Sequence, residues 1–297
     1  MASRSLFTGL RDIFSPQPTQ ERPPAPTGAG GRDLPAAVIT AIALVVLVVL
    51  GLAFAPTIVV VLVAALALSA TWEIAGALAR VGIRIAVPPL YVGALGMLTC
   101  AWTLGAEALM AALLMTFFAV LAWVLLGDRD RPRGVEATAS IFVAVYVSFL
   151  ASFVPLMLRD APTPWVLIVH VIVTATNDTG GWLAGSLFGR HPMAPRLSPK
   201  KSWEGFIGSV LTCIAMAIPA FMLLGAQWWW GLIAGVLTAI VGTLGDLTES
   251  LIKREVGLKD MSNLLPGHGG ILDRVDAQLL TAPLFYFLFI LALGGPQ

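Results

Sequence analysis

The sequence predicts an all-α polytopic membrane protein of about nine transmembrane helices, N-terminus in the cytoplasm and C-terminus on the opposite side. Three observations lead there. The 297 residues are 58% hydrophobic and only 12% charged, with a mean hydropathy of +0.87. The apolar residues are gathered into runs of membrane-spanning length, and the lysines and arginines fall almost entirely in alternate loops. A soluble chain carries roughly 25% charged residues. Half that charge cannot cover a water-soluble particle of this size, so a soluble enzyme is excluded, as are collagen-like, disulfide-rich and wholly disordered chains.

Residues 1–33 stand apart. They hold Pro16, Pro18, Pro23, Pro24 and Pro26 and lack an apolar run, including the apolar core of a secretory signal. Such a segment cannot bury enough surface to offset its ordering entropy, and a disordered Pro-rich cytoplasmic tail is expected. From Leu34 onward the apolar runs are 34–54, 57–79, 86–104, 106–127, 135–157, 164–188, 204–224, 228–252 and 269–294. Each is close to the ~20 residues a helix needs to cross the hydrocarbon. Pro88 and Pro89 fall near the start of the third. No internal repeat is visible, which gives no support to a transporter built from two similar halves. The expected division is an N-terminal transmembrane region, 34–134, and a second region, 135–297, with basic loops 189–203 and 253–268 that carry most of the chemistry.

Orientation follows from the basic residues. Of the 18 lysines and arginines, all but Arg159 and Arg274 lie in the tail or in the loops after the second, fourth, sixth and eighth runs. The positive-inside rule then puts the tail and these loops in the cytoplasm. The net charge is only +1, so no bulk field selects nucleic acid, and none is expected as a partner. Cys100 and Cys213 lie inside apolar runs and read as small buried hydrophobes.

Glu73, Asp178, Asp246, Glu249, Asp273, Arg274 and Asp276 all fall within apolar runs or at their ends. An ionisable group in mid-membrane costs about 2.5–3.5 kcal/mol on insertion scales, and it persists where it pairs, lines a water-filled cavity or binds an ion. Glu73 stands alone after Trp72 near a helix end and reads as snorkelling or locally paired. His170 reads as a packing residue and His191 as a solvated one. The remaining acids crowd the last two runs. Asp246, Glu249, Ser250, Lys253 and Arg254 fall at i, i+3, i+4, i+7 and i+8, one face of a helix. Asp273 and Asp276 share a face just inside the ninth run, and Pro266, Gly267, His268, Gly269 and Gly270 precede them. Glycines at a helix start let a phosphate approach free backbone N–H groups, where the dipole favours anions; a plain turn between helices would use the same residues. Carboxylates with no His pair or cysteine cluster suit Mg²⁺ held between protein and phosphates rather than zinc. In the sixth run a polar stretch, Asn177-Asp178-Thr179-Gly180-Gly181-Trp182, interrupts the apolar residues. After it, Arg196, Ser198, Lys200, Lys201 and Ser202 form a basic, hydroxyl-bearing loop suited to a polyphosphate.

These segments resemble a known family. Ser250-Leu251-Ile252-Lys253-Arg254, Lys259-Asp260 and Pro266-Gly267-His268-Gly269-Gly270-Ile271-Leu272-Asp273-Arg274-Val275-Asp276 are similar, spacing included, to the signature of phosphatidate cytidylyltransferases, also called CDP-diacylglycerol synthases. Asp178-Thr179-Gly180 and Ser198-Pro199-Lys200-Lys201-Ser202-Trp203-Glu204-Gly205 add to the resemblance, which is dense over 174–277 and compositional before it. It implies transfer of the cytidylyl group of CTP to phosphatidate at the cytoplasmic face of a plasma membrane, in a polytopic and generally homodimeric enzyme that needs Mg²⁺, with K⁺ as a candidate second ion. It implies catalytic roles for Asp246, Ser250, Lys253, Asp273 and Asp276. Metal binding falls to Asp246, Asp273 and Asp276, with Asp178 and Glu249 as further candidates. Phosphate contacts fall to Ser198, Lys200, Lys201, Lys253, Arg254, Lys259, His268, Gly269, Gly270 and Arg274. A CTP-dependent kinase of a polyprenol lipid and an ion-coupled transporter are the competing readings.

Overall fold

The computed structural model describes residues 45–127, 133–258, 261–262 and 270–294. The tail, Arg129, Arg131, Lys259, His268 and Gly269 lie outside them.

Among the described residues, the apolar runs are helical. The helices are α1 (Val45–Phe54), α2 (Pro56–Arg80), α3 (Val87–Thr103), α4 (Ala106–Leu126), α5 (Arg133–Val143), α6 (Phe153–Asp160), α7 (Val166–Phe188), α8 (Trp203–Leu223), α9 (Trp228–Glu255) and α10 (Leu272–Leu293). A π-helical stretch, Ala144–Phe149, follows α5, and Gly134–Asp160 counts as one 27-residue span. Pro56 opens α2, and Pro88 and Pro89 sit in the first turn of α3. Those positions have no intrahelical partner for an N–H, so the prolines start these helices and do not break them.

Six helices among the described residues are long and apolar enough to cross a membrane: α2, α4, the 134–160 span, α8, α9 and α10. The chain is a helical, multi-pass membrane protein. The count is lower than the nine runs for identifiable reasons. Of the first run only Val45–Phe54 is described. At 17 residues α3 reaches about 25 Å, short of the ~30 Å hydrocarbon core. The 23 residues of α7 are diluted by His170 and the polar stretch from Thr174 to Gly181.

One element is not helical. Within the expected loop 189–203, β1 (Pro192–Ala194) pairs antiparallel with β2 (Ser198–Ser202), with Pro192 opposite Ser202 and Ala194 opposite Ser198. The regular structure among the described residues is therefore helical apart from one short hairpin.

The chain divides into two compact units, 1–152 with 256–274, and 153–255 with 275–297. In the first unit α3 packs against α2, α4 and the π-helical stretch. In the second, α8 packs between α7 and α9. Small residues set that closeness. A Cβ on Gly235 would lie 2.6 Å from the Ile214 Cα, and one on Gly205 would lie 2.8 Å from the Gly181 carbonyl oxygen. His170 is buried against α10, its Nε2 3.0 Å from the Thr281 hydroxyl, and acts as the packing residue expected.

Candidate active site

In the second unit the acids converge because two helices approach without side chains between them. A Cβ on Gly245 would lie 3.0 Å from the Ala277 Cα and 3.1 Å from the Asp276 carbonyl oxygen, so only glycine lets α10 lie this close to α9. Asp246, the next residue, consequently meets Asp276, which is 7% exposed and interacts directly with it. Asp178 of α7 is exposed and within electrostatic reach of Asp276. The polar stretch around it does not break the helix. Asn177 is buried and donates through Nδ2 to Asp178 Oδ1 at 3.1 Å, and its carbonyl accepts the Ser209 hydroxyl at 2.6 Å.

Three of the basic residues expected at phosphates, Lys201, Lys253 and Arg254, are engaged by the protein. The Lys201 ammonium, delivered by β2, donates to Asp246 Oδ2. Lys253 donates to Glu249 at 2.6 Å, one turn back along α9, and Glu249 is 3% exposed. Glu249 thus pairs with a lysine of its own helix. Arg254 is exposed, and its Nε donates to the Leu197 carbonyl at 3.3 Å, tying the end of α9 to the hairpin turn. Lys200 is exposed, and Ser198 and Ser250 are half-buried. The hairpin is fastened at its other end too. Glu204 accepts the backbone N–H groups of Arg190 and His191 and pairs with His191 Nδ1 at 2.5 Å, so His191 is exposed yet partnered. Ser202 caps α8 by accepting the Gly205 N–H. Lys201 is therefore aimed by a braced element rather than by a loose loop.

In the first unit the start of α10 differs from the expectation. Asp273 Oδ2 accepts the N–H of Gly270 at 2.9 Å and of Met261 at 3.1 Å. Glu73, on α2 and 2% exposed, accepts the N–H of Ile271 and of Leu272, each at 2.8 Å, and the Ser262 hydroxyl at 2.5 Å. The N–H groups of 270, 271 and 272 are thus taken by carboxylates. Gly270, expected to offer its amide to a phosphate, offers it to Asp273 instead, because an anion from the chain already fills the place the helix dipole favours. Glycine is required there on packing grounds: a Cβ would lie 2.9 Å from Asp273 Oδ2 and 3.1 Å from Glu73 Oε2. Arg274 is exposed. Sequence reasoning gave Glu73 only a local role; its signal was the cost of a lone acid in an apolar helix.

Among the described residues no three of His, Cys, Asp and Glu stand close enough to hold a metal ion by themselves. The adjacent carboxyl groups of Asp246 and Asp276 form an all-oxygen pair. That donor set fits a hard divalent cation that takes one or two carboxylates from the protein and the rest of its shell from water and substrate phosphates, as Mg²⁺ does.

Comparison with known proteins places the chain in a family. The model of the cytidylyltransferase family matches residues 35–292. The phosphatidate cytidylyltransferase of Mycobacterium bovis is 37% identical over 277 residues, covering 89% of this chain and 90% of its own. That of Mycobacterium tuberculosis H37Rv is 36% identical over 300 residues, covering 95% and 91%. That of Haemophilus influenzae is 44% identical over 131 residues, covering 42% of this chain and 45% of its own. A family match across nearly the whole apolar portion, with two relatives aligned over about nine-tenths of both chains, leaves one assignment: the chain belongs to the cytidylyltransferase family.

Proposed function

We propose that the chain is a phosphatidate cytidylyltransferase, joining CTP and phosphatidate to give CDP-diacylglycerol and diphosphate for phospholipid synthesis. The observation that carries this reading is the likeness to enzymes of that name at 36–37% identity over about nine-tenths of both chains. The geometry agrees with what the reaction requires. A phosphate oxygen of phosphatidate attacks the CTP α-phosphorus, the bond from that phosphorus to the bridging oxygen of the β-phosphate breaks, and diphosphate leaves with the electron pair. The nucleophile is already anionic, so a general base has little to do. The difficulty is bringing one anion to another in line.

Lys201 and Lys253 supply ammonium groups that exchange their carboxylate partners for substrate phosphates. Arg254 braces the hairpin that presents Lys201. Asp246 and Asp276, with Asp178 nearby, are the residues that would hold Mg²⁺. A bound Mg²⁺ supplies charge neutralisation and alignment of the phosphates. A K⁺ ion at the same acids is part of the proposal, as is a homodimer. In the membrane we place all nine runs as spans, the tail and basic loops in the cytoplasm and the C-terminus opposite, in the plasma membrane. CTP then arrives from the cytoplasm while the lipid enters laterally.

The test uses purified protein, phosphatidate, Mg²⁺ and CTP labelled at the α or the γ phosphate. Label from the α position in the lipid is the expected result. Label from the γ position would make the chain a lipid kinase, and no transfer would favour a transporter.

A further inference from the structure

We propose that Glu73 is a positioning residue for the reaction: its buried carboxylate docks the segments on both sides of the signature loop and sets where α10 begins. The proposal rests on the reading above, in which the first turn of α10 carries catalytic acids.

Glu73 lies seven residues, about two turns, before the end of α2. It is separated from its acceptor-hungry partners by 189 to 199 residues of chain, and no local pattern pairs them. Oε1 accepts from the Ser262 hydroxyl and the Ile271 N–H, and Oε2 accepts from the Leu272 N–H. A carboxylate this deep persists only when its oxygens are satisfied, and here three donors converge on it. The same contacts satisfy N–H groups that a helix start leaves without intrahelical partners. Gly270 lies between Glu73 and Asp273, with room for neither carboxylate to shift past a Cβ. The orientation of Asp273 is therefore tied to Glu73 through a single residue of backbone. Glu73 is enclosed by protein groups, so its effect on catalysis passes through the first turn of α10 and the orientation of Asp273 and not through a substrate contact.

Charge and shape both matter to this role. Gln is nearly isosteric but turns one oxygen into an NH₂ facing a donor, so at least one of the three contacts is lost. Asp keeps the charge and falls one methylene short. The experiment compares Glu73→Gln, Glu73→Asp and Ser262→Ala in the full-length protein in detergent. It reads amide hydrogen exchange at Ile271 and Leu272 together with kcat and the KM for CTP. The expected result for Glu73→Gln is faster exchange at both amides and a kcat at least about tenfold lower, with KM changed less than about threefold. Glu73→Asp should recover part of both. A purely structural anchor would lower folded yield while leaving the kcat of the folded fraction at the wild-type value, and that result overturns the proposal. Unchanged exchange in Glu73→Gln overturns it as well. If Glu73→Gln does not insert, Ser262→Ala decides: faster exchange with kcat lowered about two- to tenfold supports the role, and wild-type values for both overturn it. A wild-type chain that makes no CDP-diacylglycerol refutes the reaction proposed above. The exchange results are then read alone, and unchanged exchange refutes the docking.

Discussion

Lys201→Met separates the two partners competing for one carboxylate. In the structure the Lys201 ammonium occupies Asp246, the residue proposed to hold Mg²⁺, and the two side chains are 29% and 22% exposed, so solvent screens the pair only in part. A hydrogen bond between charged groups of this kind contributes about 1.5–3 kcal/mol. Methionine keeps the length and apolar stem and removes the charge. Without CTP, the cation no longer has to displace the ammonium, and Mg²⁺ should bind Lys201→Met roughly 10- to 100-fold more tightly than wild type. Catalysis should move the other way, because the same ammonium then fails to meet a phosphate: kcat/KM should fall at least about tenfold. Binding is read from the Mg²⁺ dependence of thermal unfolding, followed by tryptophan fluorescence in detergent, since a ligand that binds the folded state raises its melting temperature. Asp246→Asn serves as the control that abolishes the response. An Mg²⁺ affinity equal to wild type in Lys201→Met would show that the ammonium and the ion do not share Asp246. A kcat/KM within about twofold of wild type would remove Lys201 from the phosphates.

Asp246→Asn and Asp273→Asn should each abolish nearly all CDP-diacylglycerol formation while the protein still inserts and folds; near-normal turnover at ordinary Mg²⁺ would take that residue out of the site. Lys253→Ala should lose at least about tenfold in kcat/KM, whereas Arg129→Ala and Arg131→Ala, in a loop with no signature residue, should stay within about twofold. Equal losses in both groups at equal expression would mean that the bases act through general surface charge. Gly245→Ala should part α9 and α10 by a few tenths of an ångström, since the obstacle to its Cβ is backbone at 3.0–3.1 Å. A roughly tenfold fall in kcat at retained folded yield is the expected result, and a wild-type kcat would show that the approach of Asp246 to Asp276 tolerates that displacement.

Local chemistry was legible in the sequence and distant pairing was not. The helices follow the apolar runs because a membrane helix satisfies its backbone internally, which makes run length nearly sufficient. Pro88 and Pro89, near the start of the third run, sit in the first turn of a helix, a placement that rests on a position within one turn. The hairpin 192–202 was missed because strands of three and five residues rich in Pro and Lys carry no alternation to detect. Glu249 and Lys253 share a face at i, i+4 and form a pair. That spacing was visible, yet the chosen partner was not, since the same lysine could equally face a phosphate. Lys201 and Asp246 lie 45 residues apart, and Glu73 and Leu272 lie 199 apart. No periodicity connects such pairs. What the sequence does show is that acids in apolar helices need partners, without saying which.

The partners found make physical sense for ionisable groups held within membrane helices. Carboxylates left alone there would each cost about 2.5–3.5 kcal/mol, and a pocket of bare ammonium groups would be as unfavourable. In the second unit the acids and bases cancel in pairs, Lys201 with Asp246 and Lys253 with Glu249. In the first, Glu73 and Asp273 are satisfied by backbone N–H groups. The two kinds of partner have opposite consequences. An amide held in a helix start has no second acceptor within reach, so a carboxylate bound to amides is fixed. A lysine on a flexible four-carbon stem can leave for a phosphate as soon as a cation takes its carboxylate, and the exchange conserves the number of close charge pairs. On the proposed reaction, the lysine-bound acids of the second unit, Asp246 foremost, are the ones expected to exchange partners. The amide-bound acids of the first unit are expected to stay with the N–H groups they hold.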